Sequence, residues 1–163
     1  MGAGKTTIGQ LLAKRLNLTF LDSDQVIEDR TGVSISTIFE IEGEPAFRAR
    51  EVQIIDELSV ERAIVLSTGG GAIGNPLTRQ RLRERGFVVY LHTTPETAYE
   101  RIRRKGERPL LRVDNPLATL RSLYEVRHPL YEQTAHAKVE SYRDRPQSVV
   151  ADILTLLRDT TAQ

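Results

Sequence analysis

Residues Gly2-Ala3-Gly4-Lys5-Thr6-Thr7 run directly into a helical pattern, and that junction narrows the possible folds more than any other stretch. Gly4, Lys5 and Thr6 fill the last three places of the phosphate-binding pattern G-x-x-x-x-G-K-[ST]. Glycines let backbone N–H groups crowd around phosphate oxygens, where a side chain would block them. The helix that follows adds a partial positive charge at its N-terminus. Lys5 can reach the outer phosphates and the Thr6 hydroxyl can ligate a divalent cation. Gly2, Ala3, Gly4, Lys5, Thr6 and Thr7 are therefore the expected nucleotide cradle. A glycine-rich turn before an ordinary helix would need neither the lysine nor the hydroxyl beside it.

Such a loop normally follows a strand inside a parallel sheet, and here the first glycine of the pattern would fall two positions before Met1. Neighbouring strands lie about 4.8 Å apart, so omitting a central one would leave a gap of about 10 Å lined by unpaired backbone groups. The expectation is that the gene product begins several residues earlier and that Met1 is an internal methionine. At 163 residues a single domain spanning 1–163 is expected. Lys and Arg number 23 against 22 Asp and Glu, so the net charge of +1 gives no argument for nucleic acid or an acidic membrane. Cysteine is absent, which excludes disulfides, a thiolate nucleophile and a Cys-based zinc site. No apolar run approaches a membrane span, and no secretory h-region is visible. A soluble, cytoplasmic monomer is expected.

Short apolar runs alternate with helical patterns, as in βαβ units. Ile8, Leu11, Leu12 and Leu16 mark a helix leaving the loop. Thr19-Phe20-Leu21 is a strand ending at Asp22-Ser23-Asp24, with two short helices over 25–31 and 35–41 and a longer one through Phe47, Ile54, Ile55 and Leu58. Strands are expected at 63–67, 87–91 and, more weakly, 137–141. Asn75-Pro76, Thr94-Pro95 and Pro146 start helices. The fold class is α/β: a three-layer sandwich around a parallel sheet, with the first, central strand not in this chain.

Several motifs carry chemistry. Asp22 and Asp24, two apart at a strand end, are expected on the same side of an extended segment; an Asp N-cap for the next helix is the plainer alternative, and Asp24 could be that cap. Arg48 and Glu51 lie at i,i+3 on one helix, which could be no more than a surface ion pair. Gly69-Gly70-Gly71 after an apolar strand favours a ligand approaching bare backbone. A basic cluster holds Arg101, Arg103, Arg104, Lys105, Arg108 and Arg112, but no aromatic residue interleaves it, which argues against RNA. His92, His128 and His136 share no metal-ligand spacing.

Taken in order, Leu21-Asp22-Ser23-Asp24, Phe47-Arg48 with Glu51, Gly69-Gly70-Gly71-Ala72, Arg108-Pro109-Leu110-Leu111 and Arg127-His128-Pro129-Leu130-Tyr131 resemble the motifs of the shikimate kinases. The similarity covers essentially the whole chain. It implies transfer of the γ-phosphate of ATP to the 3-hydroxyl of shikimate, with Mg²⁺, in aromatic amino-acid biosynthesis. It also implies roles. Lys5, Asp24 and Arg108 would be catalytic, with Arg108 closing a lid at about 106–115 over the transferring phosphate. Asp24, Arg48, Gly70 and Arg127 would bind shikimate within and beside a helical region at about 23–59, the two arginines gripping its carboxylate and Glu51 holding Arg48. Thr6 and Asp22 would support Mg²⁺, Asp22 through water. Arg101 and Pro146 would flank adenine. The family's strand order would put the first strand between Ile64–Ser67 and Val88–Leu91. Two alternatives stand beside this: another small-molecule kinase of the same fold, such as a gluconate kinase, and a non-catalytic ligand-sensing domain attached to a DNA-binding module.

Overall fold

A computed structural model describes residues 2–105, 114–141 and 145–161. The elements follow in the order α1 (Lys5–Leu16), β1 (Thr19–Asp22), α2 (Ser23–Thr31), α3 (Ile35–Leu58), β2 (Ile64–Ser67), a 3₁₀ turn (Ala72–Gly74), α4 (Pro76–Arg85), β3 (Val89–His92), α5 (Pro95–Lys105), α6 (Pro116–Thr134), β4 (Ala137–Glu140) and α7 (Pro146–Thr161). Strands β1 and β2 pair in parallel from Thr19↔Ile64 to Asp22↔Ser67, and β3 and β4 from Val89↔Ala137 to His92↔Glu140. Both links are helical crossovers, as parallel pairing requires.

The two pairs do not hydrogen-bond to each other. Between β2 and β3 lies a cavity of about 980 Å³, walled by Ile8, Leu12, Val65, Leu66, Val89 and Leu91 and continuous with Lys5, Gly69, Gly70 and Arg127 at one end. These are the two strands that the expected strand order sets on either side of the central position.

Side chains alternate across each strand, and this alternation makes the layers. Val65, Val89, Leu91 and Val139 face α1 and α7, where Ile8, Leu12, Val149, Val150 and Ile153 complete one core. Phe20 faces the same way: Gly9 on α1 lets it approach so closely that a Cβ there would lie 2.5 Å from the ring. Leu21 and Leu66 face the other side, against Ile27, Ile38, Phe47, Ile54 and Leu58 of α2 and α3. Tyr90 and His92 point away from α1 toward α6, meeting Tyr124, His128 and Tyr131.

The expected elements are present, with shifted ends. Strand β2 begins at Ile64 rather than 63 because Ala63 takes a left-handed φ of 57°. Strand β3 begins at Val89 rather than 87: Phe87 stacks on His136, and Val88 N–H donates to that imidazole. The helical segments expected at 35–41 and from Phe47 onward form one run, α3, kinked at Gly43, whose φ of 82° and ψ of 169° are non-helical. Pro45 follows just after that break, where its missing N–H costs little.

Candidate active site

The carboxyl ends of β1, β2 and β4 converge with the N-terminus of α1, the usual location of ligands in an open α/β sheet. Gly4 caps α1 in the left-handed region (φ 81°, ψ 24°), so the first turn of N–H groups opens toward the loop. Gly2 is also left-handed (φ 70°), and a Cβ on it would lie 2.9 Å from the Ala98 backbone. Only glycine meets both demands. The loop is braced from behind: Arg101 Nη1 donates to Gly2 O at 2.9 Å and to Ser141 Oγ at 3.1 Å, and Ser141 Oγ donates to Ala3 O at 2.6 Å. Lys5 opens α1, while the Thr6 and Thr7 side chains are exposed at its first turn. Pro146 opens α7. Arg108 and residues 106–113 of the expected lid lie outside the described residues.

Asp22 closes β1 and caps α2, its Oδ1 accepting from Asp24 N–H at 3.1 Å. The cap is thus Asp22 and not Asp24, and Asp24 sits in the first turn of α2 rather than on an extended segment. The two carboxylates are neighbours because a strand turns into a helix between them. Asp24 Oδ1 is buried and has no hydrogen-bond partner among the described residues. Burial pushes its pKa up from 3.8 to about 6; repulsion from Asp22 and Glu51 adds to this, and attraction by Lys5 and Arg48 opposes it.

On α3, Arg48 donates from Nη1 to Glu51 at 2.7 Å and from Nη2 to the exposed Glu44 at 3.0 Å. Glu51 is 2% exposed and the Arg48 side chain 32%, so the pair joins a buried acid to a half-buried guanidinium and is not a surface pair. The other Glu51 oxygen, Oε1, has no hydrogen-bond partner among the described residues. A Cβ on Gly69 would lie 2.5 Å from that oxygen and 2.7 Å from Asp24 Oδ1, so the two acids converge over bare backbone. Burial raises the Glu51 pKa, and Arg48 and Arg127 pull it down. Gly71 backs onto the Arg48 guanidinium, which fills the space a side chain would need. Arg127 on α6 lines the same cavity.

The structure therefore gathers Lys5, Asp22, Asp24, Arg48, Glu51, Gly69–Gly71 and Arg127 at one place. Three further participants escape sequence reasoning. Ser23 Oγ, on a fully buried residue, accepts from Gly69 N–H at 3.2 Å; Tyr131 Oη donates to Gly70 O at 2.6 Å; Ser141 braces the loop. Ser23 and Tyr131 lie in quoted motifs, which is a signal of sorts; Ser141 carries none.

The oxygen set fits Mg²⁺. Thr6 offers a hydroxyl and Asp22 a carboxylate with only one oxygen engaged in the cap, and Mg²⁺ asks for few protein oxygens because it keeps much of its water. No group of three or more His, Cys, Asp or Glu among the described residues could hold a metal by itself.

Comparison with known proteins gives the same family. The shikimate kinase family model matches residues 1–158. The chain is 55% identical over 140 residues to a shikimate kinase of Dechloromonas aromatica, covering 86% of this chain and 76% of the relative. It is 52% identical over 158 residues to one of Pseudomonas entomophila, covering 97% and 92%. Among solved structures, the shikimate kinase of Acinetobacter baumannii in complex with shikimate superposes with a TM-score of 0.95 at 45% identity, covering 100% of this chain and 91% of that one. Motif order, loop geometry and these likenesses agree: the chain belongs to the shikimate kinase family.

Proposed function

We propose that the side chains of this site divide between them the reaction of the family, transfer of the γ-phosphoryl group of ATP to the 3-hydroxyl of shikimate, as follows. The observation that carries the assignment is the setting of Asp24: a half-buried carboxylate whose buried Oδ1 has no hydrogen-bond partner among the described residues, within the attraction of Lys5 on the phosphate side and Arg48 on the acceptor side. The α1 N-terminus and Lys5 hold the phosphates by backbone donors and a point charge. Arg48 and Arg127 grip the shikimate carboxylate, for which a planar guanidinium suits a two-pronged hydrogen bond. Gly70 offers backbone to the same molecule. That leaves the acceptor hydroxyl beside Asp24, which accepts its hydrogen bond and takes its proton as the oxygen attacks phosphorus and the bond to ADP breaks. A pKa of about 6 keeps Asp24 ionised at neutral pH yet more basic than an ordinary carboxylate, as a general base requires.

Thr6 and Asp22 would hold Mg²⁺, Asp22 through water. When bound, the ion neutralises phosphate charge as it moves onto the leaving group. Arg108 closes the lid at about 106–115 and excludes water. Arg101 and Pro146 flank adenine. We read the chain as one domain acting as a cytoplasmic monomer without nucleic-acid or membrane partners. Its balanced charge gives no electrostatic argument for nucleic acid or an acidic membrane, and no described helix is long and apolar enough to cross a membrane.

The test is an ADP-release assay across shikimate, gluconate and nucleoside monophosphates, run on wild type, Asp24→Asn and Arg127→Ala. Shikimate-dependent turnover is expected. Asp24→Asn should lose turnover far more than ATP binding, and Arg127→Ala should chiefly weaken shikimate. Unchanged shikimate affinity in Arg127→Ala refutes the clamp.

A further inference from the structure

A backbone donor is only as well aimed as the peptide plane that carries it. Three glycines in a row have the least intrinsic preference of any tripeptide, so Gly69–Gly71 must be held by its neighbours. Two of its carbonyls are held by the turn itself and one N–H by a side chain of α2. Gly69 N–H donates to Ser23 Oγ, Ala72 N–H donates to Gly69 O at 3.2 Å, and Gly74 N–H donates to Gly71 O at 3.0 Å. The Gly70 carbonyl is different. Its partner, the Tyr131 hydroxyl at 2.6 Å, comes from 61 residues away on α6. Because the peptide unit is planar and trans, fixing Gly70 O fixes the Gly71 N–H that points the opposite way.

Tyr131 is itself immobilised. Its ring stacks on Tyr90 of β3 with centroids 4.9 Å apart and planes 20° from parallel. The Tyr90 hydroxyl is bonded to His128 Nδ1 at 3.0 Å. Arg127 lies one turn before Tyr131, so i and i+4 place both on one face of α6. On the far side of the strip, Gly71 abuts the Arg48 guanidinium. One hydroxyl thus connects the helix bearing Arg127 to the backbone against which Arg48 lies. Burial raises the Tyr131 pKa, Arg127 and Arg48 work against this and Glu51 reinforces it, so the hydroxyl keeps its proton and remains a donor.

We propose that Tyr131 is a positioning residue for the acceptor site: its hydrogen bond to Gly70 O locks the glycine strip to α6, so that Arg127, the strip and Arg48 form one rigid cradle for the shikimate carboxylate. This rests on the carboxylate-clamp assignment above. Among the described residues its hydrogen bond and ring stacking reach the glycine strip and β3, not the phosphate loop, so its contribution is directed at the acceptor.

The test is Tyr131→Phe, which keeps the stacked ring and removes only the oxygen. One unpaired half-buried carbonyl and a mobile peptide plane should raise KM for shikimate about tenfold, with kcat and KM for ATP held within about twofold. Calorimetric affinity for shikimate without nucleotide should fall in parallel, while the melting temperature stays within about 3 °C of wild type. Combined with Arg127→Ala, the two losses should fall short of additivity, as expected of residues in one unit. An unchanged shikimate KM in Tyr131→Phe, beside a weakened Arg127→Ala, overturns the positioning role and leaves the clamp standing. A parallel rise of both KM values with a fall in melting temperature overturns it too, since Tyr131 would then be only a packing residue. If Arg127→Ala leaves shikimate affinity intact, the clamp fails and this inference fails with it.

Discussion

Replacing Asp24 with Asn should stabilise the protein at neutral pH while disabling it. Asp24 has its pKa raised from 3.8 to about 6, mainly by burial and then by Asp22 and Glu51. A carboxyl that binds its proton more tightly in the folded state favours folding most below its unfolded value and loses that contribution as pH rises through about 6. At pH 7.5 the folded protein must therefore hold a carboxylate where the environment prefers a neutral group. A rise of this size corresponds to about 3 kcal/mol, and access of water at the cavity mouth reduces it to about 1–2 kcal/mol. Asn has nearly the same shape and never ionises. Its amide can also donate to Glu51 Oε1, which has no hydrogen-bond partner among the described residues and lies beside Asp24 over Gly69. Thermal melts across pH should then show Asp24→Asn melting about 5 °C higher than wild type at pH 7.5. The advantage should shrink between pH 6 and pH 4 and vanish below 3.8, where both side chains are neutral. Turnover at pH 7.5 should fall by at least about a hundredfold. A variant less stable than wild type at pH 7.5, or a gain independent of pH, refutes the argument: the acids would then be compensated in the folded protein by contacts other than those described.

Three other expectations can be checked with the same protein. The acid limb of kcat/KM for shikimate should turn down as pH falls through about 6, the value for Asp24; a limb that stays flat to pH 5 removes Asp24 as the base. Gly69→Ala would set a methyl 2.5 Å from Glu51 Oε1 and 2.7 Å from Asp24 Oδ1, so it should cost about 1–3 kcal/mol in urea unfolding and reduce turnover more than about tenfold; wild-type kinetics would show that the acids do not converge there. Ser141→Ala removes the bond to Ala3 O and one partner of Arg101, and should raise KM for ATP about threefold to tenfold while KM for shikimate holds; an effect on shikimate instead would show that the brace does not serve the phosphate loop.

What could be read from the sequence depended on how far apart the interacting residues lie along the chain. The nucleotide cradle is local: Gly2, Gly4 and Lys5 act through their own backbone and the helix they begin, and the left-handed torsions at Gly2 and Gly4 are what a phosphate loop needs. The Arg48–Glu51 pair was likewise visible, because helix geometry alone brings i and i+3 together. Its energetic character was not visible. Whether such a pair sits on a surface or is buried depends on α3 packing against β1 and β2, and only the fold puts Glu51 beside Asp24. For Asp22 and Asp24 the local argument failed in detail: a two-residue period places side chains together only while the chain stays extended, and here the strand ends at Asp22, which caps the next helix.

The supports of the site were hidden for the same reason. Ser23 reaches Gly69, Tyr131 reaches Gly70, and Ser141 reaches Ala3 across the whole length of the fold. None of these residue types announces such a bond; serine and tyrosine hydroxyls occur in many environments. Yet each meets a segment that glycine has made conformationally loose, the phosphate loop in one case and the acceptor strip in the other two. A stretch bare enough to let a ligand approach the backbone has given up the side chains that would otherwise fix it, so its order has to come from hydroxyls on distant elements. Glycine-rich ligand loops in this chain therefore identify, by need, where the long-range hydroxyl donors and acceptors must sit, and it is at those supports, outside the quoted ligand contacts, that substitutions should separate ATP binding from shikimate binding.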